Sequence, residues 1–174
     1  MPGCIRFQQL GEKNGNCVGY PSVSAVYVQS SSGGCFVNGL IGEWPYRQRS
    51  RWGRHSINLA PNGCDTVGVA VHELGHVLGM AHEQKRRDRD QFITVNWSNI
   101  RSDWRAQFTA GDAYTKGKYD YESMMHYPMY SAQVALNARL PLMTPTNCGR
   151  NCPRELGQRV GLSKLDLEQM VDMY

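Results

Sequence analysis

Three histidines in the stretch His72-Glu73-Leu74-Gly75-His76-Val77-Leu78-Gly79-Met80-Ala81-His82 constrain this chain more than any other feature. They follow the pattern HExxHxxGxxH. Around them, Val67, Ala70, Val71, Leu74, Val77 and Leu78 recur at spacings of three and four, which predicts a helix over residues 66–80 with one apolar stripe. Asp65 or Thr66 is placed to cap its start, and Gly79 is placed to end it in a left-handed turn. On such a helix, residues four apart lie about 40° apart around the axis and one turn along, so the imidazoles of His72 and His76 face one point. The turn at Gly79 lets His82 reach that point from another direction. Three nitrogens there suit one Zn2+ ion per chain, held at about 2.0–2.1 Å, and leave a fourth position for water, as in catalytic rather than structural sites.

Glu73 follows His72 directly and points beside the metal rather than at it. It is therefore the candidate acid/base, taking a proton from zinc-bound water and later delivering it to a leaving amine. With five His and 18 Gly among 174 residues, a chance occurrence of the full pattern is on the order of one in 10⁵. A lone histidine on an apolar helix face is usually a core residue; three at these offsets, with the glutamate and glycine in place, are not.

A chain of 174 residues fits one domain. Its net charge of +4 is well short of the concentrated charge of a dedicated nucleic-acid binder, and no apolar run approaches the ~20 residues a membrane span needs. The six cysteines, Cys4, Cys17, Cys35, Cys64, Cys148 and Cys152, form an even set without a CxxC pair. Pairing as disulfides in an oxidising, extracellular setting is the simplest reading. Asn96-Trp97-Ser98 is a glycosylation sequon, which agrees with secretion. Met1-Pro2-Gly3-Cys4-Ile5-Arg6 lacks the apolar region of a signal peptide.

Elsewhere, residues 4–7 and 23–28 read as strands, the second of them buried, with a turn through 11–15 and a flexible Ser/Gly loop over 30–34. The basic-aromatic stretch 44–52, with Arg47, Arg49 and Arg51, reads as a solvated loop. Arg54-His55-Ser56-Ile57-Asn58-Leu59 alternates and ends at the turn Pro61-Asn62-Gly63, so it reads as a short strand. Residues 85–90 alternate in charge and read as a solvated, self-paired cluster. At the end, Ser163 and Asp166 form a capping box, Leu162 and Leu167 are placed for a hydrophobic staple, and Leu167, Met170, Val171 and Tyr174 share one helical face.

A second cluster, Ser123-Met124-Met125-His126-Tyr127, is bland alone, since methionine and aromatic residues are common core filler. After HExxHxxGxxH it gains weight, because the two together resemble the metzincins. Glu83 after the third histidine, then His82-Glu83-Gln84, Arg87-Asp88-Arg89-Asp90, Asn96-Trp97-Ser98-Asn99-Ile100 and Tyr119-Asp120-Tyr121-Glu122 look like the astacin family within that clan. Gly157-Gln158-Arg159 and Leu162-Ser163 with Asp166 match its closing segment.

The resemblance implies an α+β metzincin catalytic domain acting as a zinc-dependent endopeptidase on extended polypeptides. A twisted mixed sheet and the active-site helix (upper lobe, about 1–79) would lie over a loop-rich lower lobe (about 80–174) ending in a helix, with the cleft between them. It implies that Met125 lies beneath the metal and that Tyr127 is an additional, displaceable zinc ligand and catalytic donor. It makes Arg54, His55, Ser56, Ile57, Asn58 and Leu59 the edge strand that pairs with substrate, and Cys35–Cys64 a disulfide. The family's first strand and helix, and the partner of the cysteine matching Cys4, are missing from this sequence, so Cys4 is left to pair with Cys17 or to stay free. Cys148 and Cys152 are extra and close enough to pair locally. The rival readings are another metzincin family, against which Glu83 and the 123–127 cluster stand, and a catalytically silent binding module of the same fold, against which the intact Glu73 stands.

Overall fold

The computed structural model describes residues 11–13, 16–18, 25–38, 54–61, 63–111 and 117–173. The expected strand at 4–7, the loop 44–52 and the Cys4–Cys17 pairing lie outside the described residues or side chains. The stretch expected as a turn through 11–15 instead contributes strand: β1 (Gly11–Lys13) pairs antiparallel with β2 (Asn16–Val18), with Lys13 opposite Asn16.

The main sheet contains β3 (Ala25–Gln29), β4 (Cys35–Asn38) and β5 (Arg54–Leu59), in the order β3-β5-β4. β5 runs parallel to β3 and antiparallel to β4. This corrects one expectation. Arg54, His55, Ser56, Ile57, Asn58 and Leu59 form the central strand, with ladder partners on both sides, so among the described strands β4 is the edge facing the cleft. Burial in β5 does not follow its alternation: adjacent Ile57 and Asn58, on opposite faces, are both buried, at 2% and 0% exposed, as suits a central strand. Expected burial of 23–28 also fails at Val28, which is 65% exposed. The Ser/Gly loop at 30–34 is pinned rather than free. Buried Asn58 accepts from the Ser31 N–H (3.1 Å) and hydroxyl (2.7 Å) and donates to the Gly34 carbonyl (2.7 Å).

Helix α1 (Val67–Val77) follows, with the Thr66 hydroxyl accepting from the Val69 N–H as N-cap. Gly79 has φ +96°, and the N–H groups of Gly79 and Met80 bond the carbonyls of His76 and Gly75, so the helix ends in the left-handed turn that its sequence anticipates. Val67, assigned to the apolar stripe, is instead 81% exposed in the first turn. The Cys35–Cys64 disulfide ties β4 to the turn ahead of α1, and Cys148–Cys152 closes a tight local loop.

Between α1 and the last helix the described chain is mostly irregular, punctuated by short 3-10 segments, the longest over Ser102–Phe108, and among the described residues it holds one short ladder between β6 (Ile93–Val95) and β7 (Met143–Pro145). Its core is Ile93, Ile100, Phe108, Leu142 and Met143 with their neighbours. A segment so poor in regular structure has many backbone carbonyls without ladder partners, and those need donors from elsewhere. The stretch 85–90 supplies them. Arg86 and Arg89, expected to be solvated, are each 3% exposed. Arg86 donates to the carbonyls of Gly117 and Lys118 and to the carboxylates of Glu83 and Asp88; Arg89 donates to the carbonyls of Gln84 and Phe108. The cluster is self-paired, with Arg87 and Asp90 exposed but the guanidiniums of Arg86 and Arg89 internal, each bracing several loops at once.

Helix α2 (Lys164–Met173) closes the described chain. Its capping box forms: Ser163 N–H donates to Asp166 Oδ2 (3.0 Å) and Asp166 N–H to Ser163 Oγ (2.9 Å). The predicted apolar face does not: Leu167 and Val171 are 51% and 70% exposed. Asp166 is the buried residue of this helix, so α2 docks through a carboxylate. No described helix is long and apolar enough to cross a membrane.

Candidate active site

A cleft of about 1250 Å³ runs between β4 and α1 on one side and the loops that carry Lys85, Trp104, Tyr127 and Arg159 on the other. Helical spacing puts His72 and His76 one turn apart on the face of α1 turned to this cleft, and the Gly79 turn returns His82 to them. The Nε2 atoms of His72 and His82 lie 3.3 Å apart, and those of His76 and His82 3.0 Å.

The protons of these rings are set from behind. His72 Nδ1 donates to the Met124 carbonyl (2.8 Å) and His76 Nδ1 to the Met80 carbonyl (2.7 Å), which leaves both Nε2 lone pairs facing the shared point. Burial lowers all three imidazoles below their ordinary pKa, His72 to about 3, with His76, His72 and the Arg159 cation reinforcing the effect among them. They stay neutral, the form that donates a lone pair to a metal. Tetrahedral ligands at the Zn–N distance of 2.0–2.1 Å would sit about 3.3 Å from one another. The observed separations of 3.0 and 3.3 Å fit that ion. Among the described residues, His72, His76 and His82 are the grouping of such donors that could share one metal ion.

Glu73 is 4% exposed, and its Oε2 is buried without a hydrogen-bond partner among the described residues. Burial pushes its carboxyl up to about 7, with the Arg159 guanidinium pulling the other way. A carboxyl poised there can accept and release a proton near neutral pH. Tyr127 lies against the triad, its ring 4.4 Å from that of His82 at 62°. Burial and the nearby Glu73 raise its phenol to about 12, so it remains a hydrogen-bond donor. Met125 is 1% exposed and packs under α1. A Cβ on Gly75 would come within 2.7 Å of the Met125 sulfur, which explains a glycine in the middle of this helix.

The residues expected at the site are thus brought together, apart from the β5 residues displaced by β4. Phe36 and Val37 of β4 line the cleft in their place. Three supporting residues had no assigned role. Gln84, fully buried, accepts from the Tyr127 N–H (3.0 Å). Arg159 donates through Nη1 to the carbonyls of Met124 (2.8 Å) and His126 (3.2 Å). His126 donates from Nδ1 to the Tyr127 carbonyl (2.8 Å) and accepts from the Tyr119 hydroxyl (2.7 Å). No spacing rule marks Gln84 or Arg159, because the main-chain atoms they hold at the site lie more than thirty residues away, and the neighbours of His126 look like ordinary core contacts.

A family model described as Astacin, a peptidase family, matches residues 2–174. Zinc metalloproteinase nas-11 of Caenorhabditis elegans is 47% identical over 118 residues, covering 64% of this chain and 20% of that protein. Protein SpAN of Strongylocentrotus purpuratus is 32% identical over 175 residues, covering 98% of this chain and 26% of that protein. The chain therefore spans about a quarter or less of these relatives. Among solved structures, high choriolytic enzyme 1, a hatching enzyme zinc-protease of the medaka Oryzias latipes, superposes with TM-score 0.70 at 30% identity, covering 85% of this chain and 68% of that one.

Proposed function

The chain belongs to the astacin family of peptidases, and from that premise we propose that it is a zinc-dependent endopeptidase acting on extended polypeptides. The observation that carries this reading is the convergence of three neutral imidazoles at 3.0 and 3.3 Å beside a buried carboxylate oxygen that has no partner among the described residues. In it, His72, His76 and His82 hold one zinc ion per chain, and Glu73 is the acid/base. When bound, zinc supplies Lewis acidity, acidifying water and polarising a carbonyl.

The chain's own residues do the rest. β4, whose outer edge has no ladder partner among the described residues, offers that edge to an extended peptide by strand addition, which gives affinity without sequence selection. Glu73 Oε2 takes the proton of the attacking water and passes it to the leaving amine nitrogen as the C–N bond breaks. The Tyr127 hydroxyl donates to the carbonyl oxygen as it gains negative charge. The cleft separates an upper lobe of about residues 1–79 from a lower lobe of about 80–174, and Met125 packs beneath the histidines. Two disulfides in the structure, Cys35–Cys64 and Cys148–Cys152, support an extracellular, oxidising location.

Casein or gelatin hydrolysis before and after 1,10-phenanthroline, and again after zinc is returned, tests the reading. Activity is expected to vanish with the chelator and come back with zinc. Hydrolysis indifferent to the chelator, or a zinc-loaded chain that cleaves nothing, would sink it, the latter in favour of a silent binding module.

A further inference from the structure

On the reading that His72 is a zinc ligand, we propose that Asp166 on the C-terminal helix is a positioning residue for the metal site, acting on His72 through Met124. Asp166 is 2% exposed and uses both carboxylate oxygens. Oδ1 accepts from the Ser123 hydroxyl at 2.7 Å, and Oδ2 accepts from the N–H of Met124 at 2.9 Å and of Ser163 at 3.0 Å. Met124, fully buried, offers its carbonyl to His72 Nδ1 at 2.8 Å and to Arg159 Nη1 at 2.8 Å. This one residue is gripped at its N–H by a carboxylate and at its C=O by the imidazole whose opposite nitrogen faces the metal point.

A helix cap does not require this. The capping box is complete with the Asp166–Ser163 pair alone. The additional bonds to Ser123 and Met124 reach a segment more than forty residues away in sequence. Asp166 is also the buried residue through which α2 docks, with Leu167 and Val171 left exposed, so the bonds that seat the helix are the same ones that hold Ser123 and Met124. Hydrogen bonds to a carboxylate are stronger than those between neutral groups. They therefore fix the backbone on both sides of the Met124 Cα, so that its carbonyl keeps the proton of His72 on Nδ1 and leaves the Nε2 lone pair free for a metal. Partners behind a ligating histidine tune metal affinity in this way, with losses of about 10–100-fold when they are removed.

The test titrates the full chain, stripped of metal, with Zn2+ against a chromogenic chelator, and records the visible spectrum of the Co2+-loaded form. Asp166→Ala is expected to weaken zinc binding by about 10–100-fold and to shift the cobalt bands. Asp166→Asn, which keeps an acceptor for the Met124 N–H, should give an intermediate affinity and decides the matter if the alanine variant does not fold. Ser163→Ala is the structural control. It removes the hydroxyl that accepts from Asp166 N–H but leaves the bonds to Ser123 and Met124, so thermal stability should fall while zinc affinity and cobalt spectrum hold. Wild-type affinity and spectrum in both Asp166 variants, or an equal zinc loss in Ser163→Ala, would overturn the proposal. His72→Ala, titrated alongside, separates the two levels. If it loses tight zinc while the Asp166 variants do not, the positioning role alone falls; if it binds zinc like wild type, the ligand reading falls too.

Discussion

Tyr127 is where packing and chemistry make different demands on one side chain. Its ring contacts His82 and Phe108, as core filler would, yet it lines the cleft and keeps its proton. If the hydroxyl donates to the developing oxyanion, Tyr127→Phe should retain zinc and lower kcat by roughly 10²–10³, with KM nearly unchanged. Steady-state kinetics on one quenched peptide decide it, and an unchanged kcat would reduce the residue to packing. At this scale the candidate ligands are legible in the sequence because helix geometry fixes their spacing. Gly75 is legible only as an oddity, since its reason is the Met125 sulfur arriving from fifty residues later. Arg86 and Arg89 mislead, because alternating charge looks the same on a solvated face and in an interior of unpaired carbonyls.

Among elements, α1 is legible nearly to its ends, because its cap and its terminating glycine are local features. Strand order is not local. β5 alternates as a half-buried strand does, and the expectation of an edge role comes from the family resemblance alone; β3 and β4 flank it, and nothing in six residues says how many neighbours a strand has. For α2 the capping box forms and the apolar face does not, since the helix docks through Asp166. The edge role of β4 gives the Cys35–Cys64 bridge a clear job: it fastens the cleft-lining strand to the turn before α1 across a separation of 29 residues. Closing a loop of that size stabilises by about 3–4 kcal/mol in the chain-entropy account. The double variant Cys35→Ser/Cys64→Ser should lose about that much in denaturant unfolding and show a lower kcat/KM through a less ordered rim. An unmoved unfolding midpoint would mean that the bridge does not constrain this strand.

For the whole molecule, the family and its mixed α/β character can be read from a handful of motifs, whereas the scaffold behind them cannot. The site sits where a sheet edge, one helix and a long irregular segment meet, and the irregular segment is stabilised by side-chain bonds to the backbone that carry no periodic signal. Those bonds nonetheless converge on the histidines: Met124 and Met80 orient two of them, Gln84 and Arg159 brace the 124–127 turn, and Asp166 anchors it. In the proposed enzyme this scaffold presents Glu73 as the proton carrier beside a zinc held by His72, His76 and His82. Glu73→Gln keeps the shape of the side chain and leaves all three histidines, so the most direct measurement is its turnover of a quenched peptide at verified zinc content. Full zinc is expected, with kcat reduced by at least roughly 10²–10⁴. A zinc-loaded Glu73→Gln chain that turns over within about tenfold of wild type, far above that loss, would contradict Glu73 as the proton carrier.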